Sequence, residues 1–336
     1  MQIKEVGEFG LIKRIKDKLS FSHRDIIKGI GDDAGVTHLR EGASLLSTTD
    51  TLVEDVHFDL GLISAYNLGK KSLAVNISDI AAMGGMPRFF LISLSIPSRI
   101  SVEFIDEFMN GLREVANRFQ TYPVGGDTSL SPENLIISIT VLGEASPGYE
   151  IYRDNANIGN QIFVTGDIGD SALGLNILMS RNYPYMAEER FKDLIEKHNN
   201  PTPRVTEGRL IAENHIASAM IDISDGLISD LGHICKQSGV GARIWLEKIP
   251  ASEAFQKYFQ EFTDRPSDLQ LGGGEDYEIL FTVDNKKLEA LNQIKPRFHT
   301  KVTHIGEIIG QECGIAVLRD NGQKYSVKIE GFDHFS

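Results

Sequence analysis

Five short stretches set aspartate beside glycine, serine or threonine. They are Gly31-Asp32-Asp33-Ala34, Ser47-Thr48-Thr49-Asp50, Asn76-Ile77-Ser78-Asp79, Gly125-Gly126-Asp127-Thr128 and Asp222-Ile223-Ser224-Asp225-Gly226. Taken singly, each is more often a turn or a helix N-cap than a ligand set, because these residues are the ordinary vocabulary of such positions. Their number favours a shared site. All five are expected at junctions between elements, several of them after apolar strands, where α/β-type sites collect ligands. Magnesium takes oxygen ligands, keeps several waters, and uses one or two carboxylates plus substrate phosphates per ion. The adjacent Asp32 and Asp33 repel one another and stay ionised most readily beside a cation. The chemistry implied is magnesium-assisted phosphoryl transfer from a site built of scattered aspartates.

Two motifs resemble phosphate loops. Gly29-Ile30-Gly31-Asp32-Asp33-Ala34 has the spacing GxGxxA, but its phosphate-facing turn carries two carboxylates where a dinucleotide pyrophosphate needs bare amides. Gly69-Lys70-Lys71-Ser72 resembles the end of a P-loop, yet Ser64 stands where the leading glycine belongs and the segment lies in helical periodicity. Both are expected to be structural.

The elements that must position these residues read as mixed α and β. Helical spacing marks residues 9–19, 65–83, 102–119, 171–179, 207–214 and 226–237. Strand signals fall at residues 44–49, 89–96, 122–125, 135–143, 161–165, 218–223, 242–246, 277–283 and 315–319. Breakers make residues 198–203 a loop. The pattern renews itself near residue 150, which gives two domains, residues 1–150 and 151–336.

Composition excludes several classes. The chain has 336 residues, 41% apolar and 24% charged, within the globular range. No apolar run approaches the ~18 residues of a membrane span, and residues 1–10 lack the apolar core of a signal peptide. The two cysteines, Cys235 and Cys313, suit a reducing cytoplasm and build neither a disulfide framework nor a zinc site. A net charge of −13 argues against a nucleic-acid partner.

In order along nearly the whole chain, further segments join the aspartate motifs. They are Phe9, Thr51-Leu52-Val53, His57-Phe58, Ala74-Val75-Asn76-Ile77-Ser78-Asp79-Ile80-Ala81-Ala82-Met83-Gly84, Gly272-Gly273-Gly274-Glu275-Asp276-Tyr277-Glu278 and Gly331-Phe332-Asp333-His334-Phe335. Together they closely resemble the thiamine-monophosphate kinase family of the aminoimidazole ribonucleotide synthetase superfamily. The resemblance implies an N-terminal α+β domain that pairs across a homodimer to form a β-barrel, and a C-terminal α/β domain. It implies transfer from ATP to thiamine monophosphate with several magnesium ions. By motif match, Asp33, Thr48, Thr49, Asp50, Asp79, Asp127, Asp222 and Asp225 correspond to metal ligands. Gly126, Asp127, Arg153 and Ser224 correspond to ATP contacts, and His57, Glu275 and Phe332 to contacts with the thiamine substrate. The chain departs from the family pattern at Arg153-Asp154-Asn155-Ala156, where a glycine usually precedes the alanine, and at Phe332, where Tyr or Trp is common.

An acceptor phosphate is already ionised at neutral pH, so no general base is expected; the demand is for positioning and charge cancellation. Bland readings stand beside each residue: His57 as a strand-end histidine, Glu275 in a turn, Arg153 on a surface loop, Phe332 as a core anchor. Rival readings are other members of the superfamily, a nucleotide-binding regulator without turnover, and a dinucleotide oxidoreductase. The first are disfavoured because no cysteine precedes Cys235 and none closes the C-terminus.

Overall fold

The computed structural model describes residues 1–19, 21–30, 34–180, 190–262 and 266–327. Gly31, Asp32, Asp33 and Phe332 lie outside the described residues. The chain is a two-domain α+β protein of two compact units, Met1–Ile80 with Gly85–Gly148, and Ala81–Gly84 with Tyr149–Ser336. Among the described residues no helix is long and apolar enough to cross a membrane.

The first unit runs α1 (Ile3–Lys18), β1 (Ile26–Lys28), β2 (Val36–Thr37), β3 (Ser44–Val53), α2 (Ala65–Ala82), β4 (Met86–Pro97), α3 (Val102–Phe119), β5 (Tyr122–Ser131) and β6 (Ile136–Ala145). Its sheet has the order β3-β6-β4-β5, with β4 and β5 parallel and the other pairs antiparallel. Alternation sends Leu46, Leu52, Ile92, Leu94, Ile137 and Ile139 into the core. The other face carries Ser47, Thr49, Thr51, Ser93 and Asp127, all exposed. No closed barrel is present among the described residues; β3 and β5 are the edges of this open sheet.

Helix α3 begins at Ser101, whose hydroxyl accepts from the Phe104 N–H, and ends at Gln120 in a left-handed conformation. It crosses α2 closely. A Cβ at Gly69 would come within 1.9 Å of the Phe108 carbonyl oxygen, and one at Gly111 within 1.8 Å of that of Tyr66. The glycine of the P-loop lookalike is therefore a helix-crossing residue in the second turn of α2.

The second unit runs β7 (Gln161–Thr165), α4 (Asp170–Met179), α5 (Lys192–Asn199), α6 (Val205–Glu213), β8 (Ala217–Asp222), α7 (Leu227–Ser238), β9 (Gly241–Trp245), α8 (Glu253–Phe262), α9 (Pro266–Gly272), β10 (Ile279–Val283), α10 (Leu288–Ile294), β11 (Val302–Ile309) and β12 (Ile315–Leu318). The six-stranded order is β12-β9-β11-β7-β10-β8. Its ladders are antiparallel except β12 with β9, so this unit too is α+β in its pairing. Apolar residues cover both faces. Ile162, Val164, Leu227, Leu231 and Ile234 belong to one cluster, and Phe163, Ile211, Phe281 and Leu291 to another.

Candidate functional site

In the first unit the structure gathers Thr48, Asp50 and Asp79. Thr48 and Asp50 share the inner face of β3 because side chains alternate. Asn76 and Asp79, about one helical turn apart on α2, meet them. The Thr48 hydroxyl donates to Asp79 Oδ2 at 2.5 Å, and the Asp50 N–H donates to Asn76 Oδ1 at 3.0 Å. Asn76 is itself oriented by donating its amide to the Ser72 carbonyl at 3.1 Å. Burial and the neighbouring Asp79 push the Asp50 carboxyl up to about 7. Two crowded carboxylates with a hydroxyl and an amide form an all-oxygen donor set, which fits a hard divalent cation better than zinc.

Three expected junctions prove to be interior positions. Asp50 lies inside β3, Asp127 inside β5, and Asp79 inside α2 about a turn before its end. Aspartate is depleted in strands, which shortened the expected strands, but the hydrogen-bonded registers carry β3 and β5 past it. Thr49 and Asp127 consequently face away from Asp50. The Thr49 hydroxyl donates to the Ile139 carbonyl at 3.1 Å and accepts from Thr140 at 3.0 Å. Asp127 stands in register with Ser93, which pairs with Ser138, which pairs with Thr51. Three strand spacings put β5 roughly 14 Å from β3. Gly126 and Asp127 help line a cleft of about 370 Å³ with Gly125, Ser93, Ser138 and Thr140. His57 follows β3, and its Nδ1 accepts the Val53 N–H at 3.0 Å, which leaves the ring proton on Nε2.

In the second unit Asp222, Ser224 and Asp225 do form a junction, between β8 and α7. Asp222 is buried, and Asp230 in the first turn of α7 holds the turn together. One oxygen of Asp230 accepts the N–H groups of Ser224, Asp225 and Gly226 at 3.0–3.1 Å. Burial first, then Asp222 and Asp225, push its carboxyl up to about 8, against the pull of those N–H groups. Asp225, Asp230 and His233 each offer a ligand atom within 4.8 Å of the others.

The Gly272–Glu278 segment is laced to this junction. The Glu275 N–H donates to the Ser224 carbonyl at 2.7 Å, and the Tyr277 N–H to that of Ile223 at 2.8 Å. A Cβ at Gly274 would lie 2.5 Å from the Ser224 oxygen, so only glycine allows the approach. Asp276 accepts from the N–H groups of Gly169 and Ser171 at the start of α4. Glu278, 1% exposed, accepts a bidentate pair from Nε and Nη2 along one edge of the Arg204 guanidinium, and accepts from the Thr165 hydroxyl at 2.7 Å. Arg153 is exposed on a loop pinned by Ser238, whose hydroxyl donates to the Arg153 carbonyl at 3.1 Å and accepts from the Ala156 N–H at 3.1 Å. That fixes the path of the loop without the missing glycine.

Residues 31–145 match the model of the AIR synthase related protein N-terminal domain, and residues 157–318 that of its C-terminal domain. The thiamine-monophosphate kinase of Bacillus subtilis is 36% identical over 98% of this chain and 100% of its own. The solved thiamine-monophosphate kinase of Stenotrophomonas maltophilia is 35% identical, covers 95% of this chain and 98% of its own, and has a TM-score of 0.82. This chain belongs to the thiamine-monophosphate kinase family. AaThiL, solved complexed with AMPPCP and TMP, is 35% identical, covers 100% of this chain and 99% of its own, and has a TM-score of 0.77.

As a thiamine-monophosphate kinase the chain is a phosphotransferase. Sequence reasoning missed several groups that shape this kinase's candidate site: His198, Arg204, Asp230 and the turn at residues 166–171. Asp230, five residues after Asp225 and on the helix that follows, carried a readable signal as a first-turn acidic residue. His198 and Asn199 close α5 rather than belonging to a loop, and nothing local marks His198 as a partner for residues far along the chain.

Proposed function

We propose that this chain transfers the γ-phosphoryl group of ATP to thiamine monophosphate, giving ADP and thiamine diphosphate, the final step of thiamine diphosphate biosynthesis. The observation that carries the reading is the full-length likeness to AaThiL complexed with AMPPCP and TMP. A phosphate oxygen of the acceptor attacks the γ-phosphorus, the bond to the bridging oxygen breaks, and ADP leaves. That oxygen is ionised at neutral pH, so the protein supplies no general base.

The obstacle is like charge. Bound magnesium ions would cancel it, and Asp33, Thr48, Thr49, Asp50, Asp79, Asp127, Asp222 and Asp225 are the residues that would hold them. The crowding of Asp50 against Asp79 supports this, since a cation relieves both burial and mutual repulsion. Gly126, Asp127, Arg153 and Ser224 bind ATP in this reading, and His57, Glu275 and Phe332 bind the thiamine substrate. The Nε2–H of His57 and the carboxylate of Glu275 offer a donor and an acceptor for that role. The enzyme acts in the cytoplasm as a homodimer, in which the open four-stranded sheet pairs with its copy to close a barrel. Exposed Leu45 and Leu91 on that hydroxyl-rich face support the pairing.

A coupled assay for ADP tests the reading. Magnesium and thiamine monophosphate together should drive ADP release, and plain thiamine should not. ADP release that ignores thiamine monophosphate would refute it.

A further inference from the structure

Glu275 belongs to a main chain that is fixed on both sides. Its φ is 64°, a left-handed value rare outside glycine. Its N–H is tied to the Ser224 carbonyl at 2.7 Å, and the next residue, Asp276, is tied to the start of α4. What the backbone leaves open is the direction of the Glu275 side chain. That choice is met by His198, at the end of α5, which is 7% exposed. Its Nδ1 lies 3.2 Å from Glu275 Oε2 and 3.2 Å from the Ser171 hydroxyl.

Two oxygens crowd one ring nitrogen, and this decides where the proton sits. A bare lone pair at Nδ1 would face the lone pairs of a carboxylate, whereas an N–H satisfies it. The proton therefore resides on Nδ1, shared between Glu275 and Ser171. The Glu275 side chain keeps 28% of its surface exposed, enough for a ligand to reach it.

We infer that His198 is a positioning residue for the acceptor substrate: it aims the Glu275 carboxylate before thiamine monophosphate arrives and touches no reacting atom. The inference rests on the reading of Glu275 as a contact to that substrate. Ordering a flexible side chain during binding weakens affinity by roughly 3- to 10-fold, and His198 removes that cost in advance.

Steady-state kinetics on the full chain test it, with ATP and thiamine monophosphate varied in turn. His198→Leu should raise the KM for thiamine monophosphate about 10-fold, with kcat and the KM for ATP within about 2-fold of wild type. His198→Asn sets an amide N–H near the place of Nδ1–H and should stay near the wild-type KM. His198→Gln sets its amide one carbon further out and should resemble His198→Leu. In a Glu275→Gln background, His198→Leu should add nothing. If Glu275→Gln leaves the KM unchanged, the reading of Glu275 falls and the inference with it. If Glu275→Gln raises the KM while His198→Leu does not, only the inference falls. Equal effects of Asn and Leu would mark a merely structural residue and overturn it. Should thermal unfolding show that His198→Leu does not fold, the Asn and Gln variants decide alone, and equal KM values overturn the inference.

Discussion

Asp50 faces Asp79 across the gap between a strand and a helix, and its carboxyl is held up to about 7 by burial first and Asp79 second. A side chain that costs so much to ionise earns its place by what it binds. Asp50→Asn keeps the shape and removes the charge. It should cut phosphoryl transfer by more than ~100-fold at saturating magnesium, beyond what loss of an outer-shell partner costs, with circular dichroism unchanged. Asp170 gives a cleaner pH test, because it stands apart from the proposed ligands. Burial raises it to about 6, against the Ser252 hydroxyl that donates to it at 2.8 Å. Its folded value lies above its unfolded one, so its contribution is fullest below about pH 4 and is lost as pH rises through about 6. Wild type should therefore lose stability relative to Asp170→Asn between pH 4 and pH 7, by up to ~3 kcal/mol in urea unfolding.

At the scale of elements, the second unit works by lacing one segment to another. The junction after β8 and the segment before β10 share main-chain hydrogen bonds, and Gly274 lets them touch. Gly274→Ala should push them apart, raising the KM for thiamine monophosphate more than 10-fold with a stability loss of about 1–3 kcal/mol, read by parallel kinetics and urea titration. Legibility in the sequence followed the same logic. Helix α3 was readable end to end, because Ser101 caps it and its apolar residues keep helical spacing. Strand β7 was equally plain, a buried apolar run with short bounds. Strand β11 escaped notice, since His304 and Gly306 interrupt its pattern at a register shift. The extension of β3 over Asp50 and of β5 over Asp127 also escaped, because pairing with neighbouring strands overrode local preference. The aspartates proposed as ligands were visible as a set of motifs. Which of them share a face was not, because that depends on the strand's length and register. His198 and Arg204 could not be seen at all: their carboxylate partners lie more than seventy positions away.

Across the whole molecule, the proposed function assigns parts of one chemistry to each of the two α+β units. The first offers an inner carboxylate pair and an outer hydroxyl-lined cleft, and the second a rigid double loop ending in Glu275. Their donors are oxygens suited to a cation and phosphates, and the proposed transfer calls for no base because its acceptor would bring its own charge. The account stands on direct transfer from one phosphate to another. Incubation with ATP labelled at the γ-phosphorus, magnesium and thiamine monophosphate measures this most directly. The label should appear in the terminal phosphate of thiamine diphosphate, one equivalent for each ADP formed. Label released as inorganic phosphate, with ADP formed but no labelled thiamine diphosphate, would contradict the account.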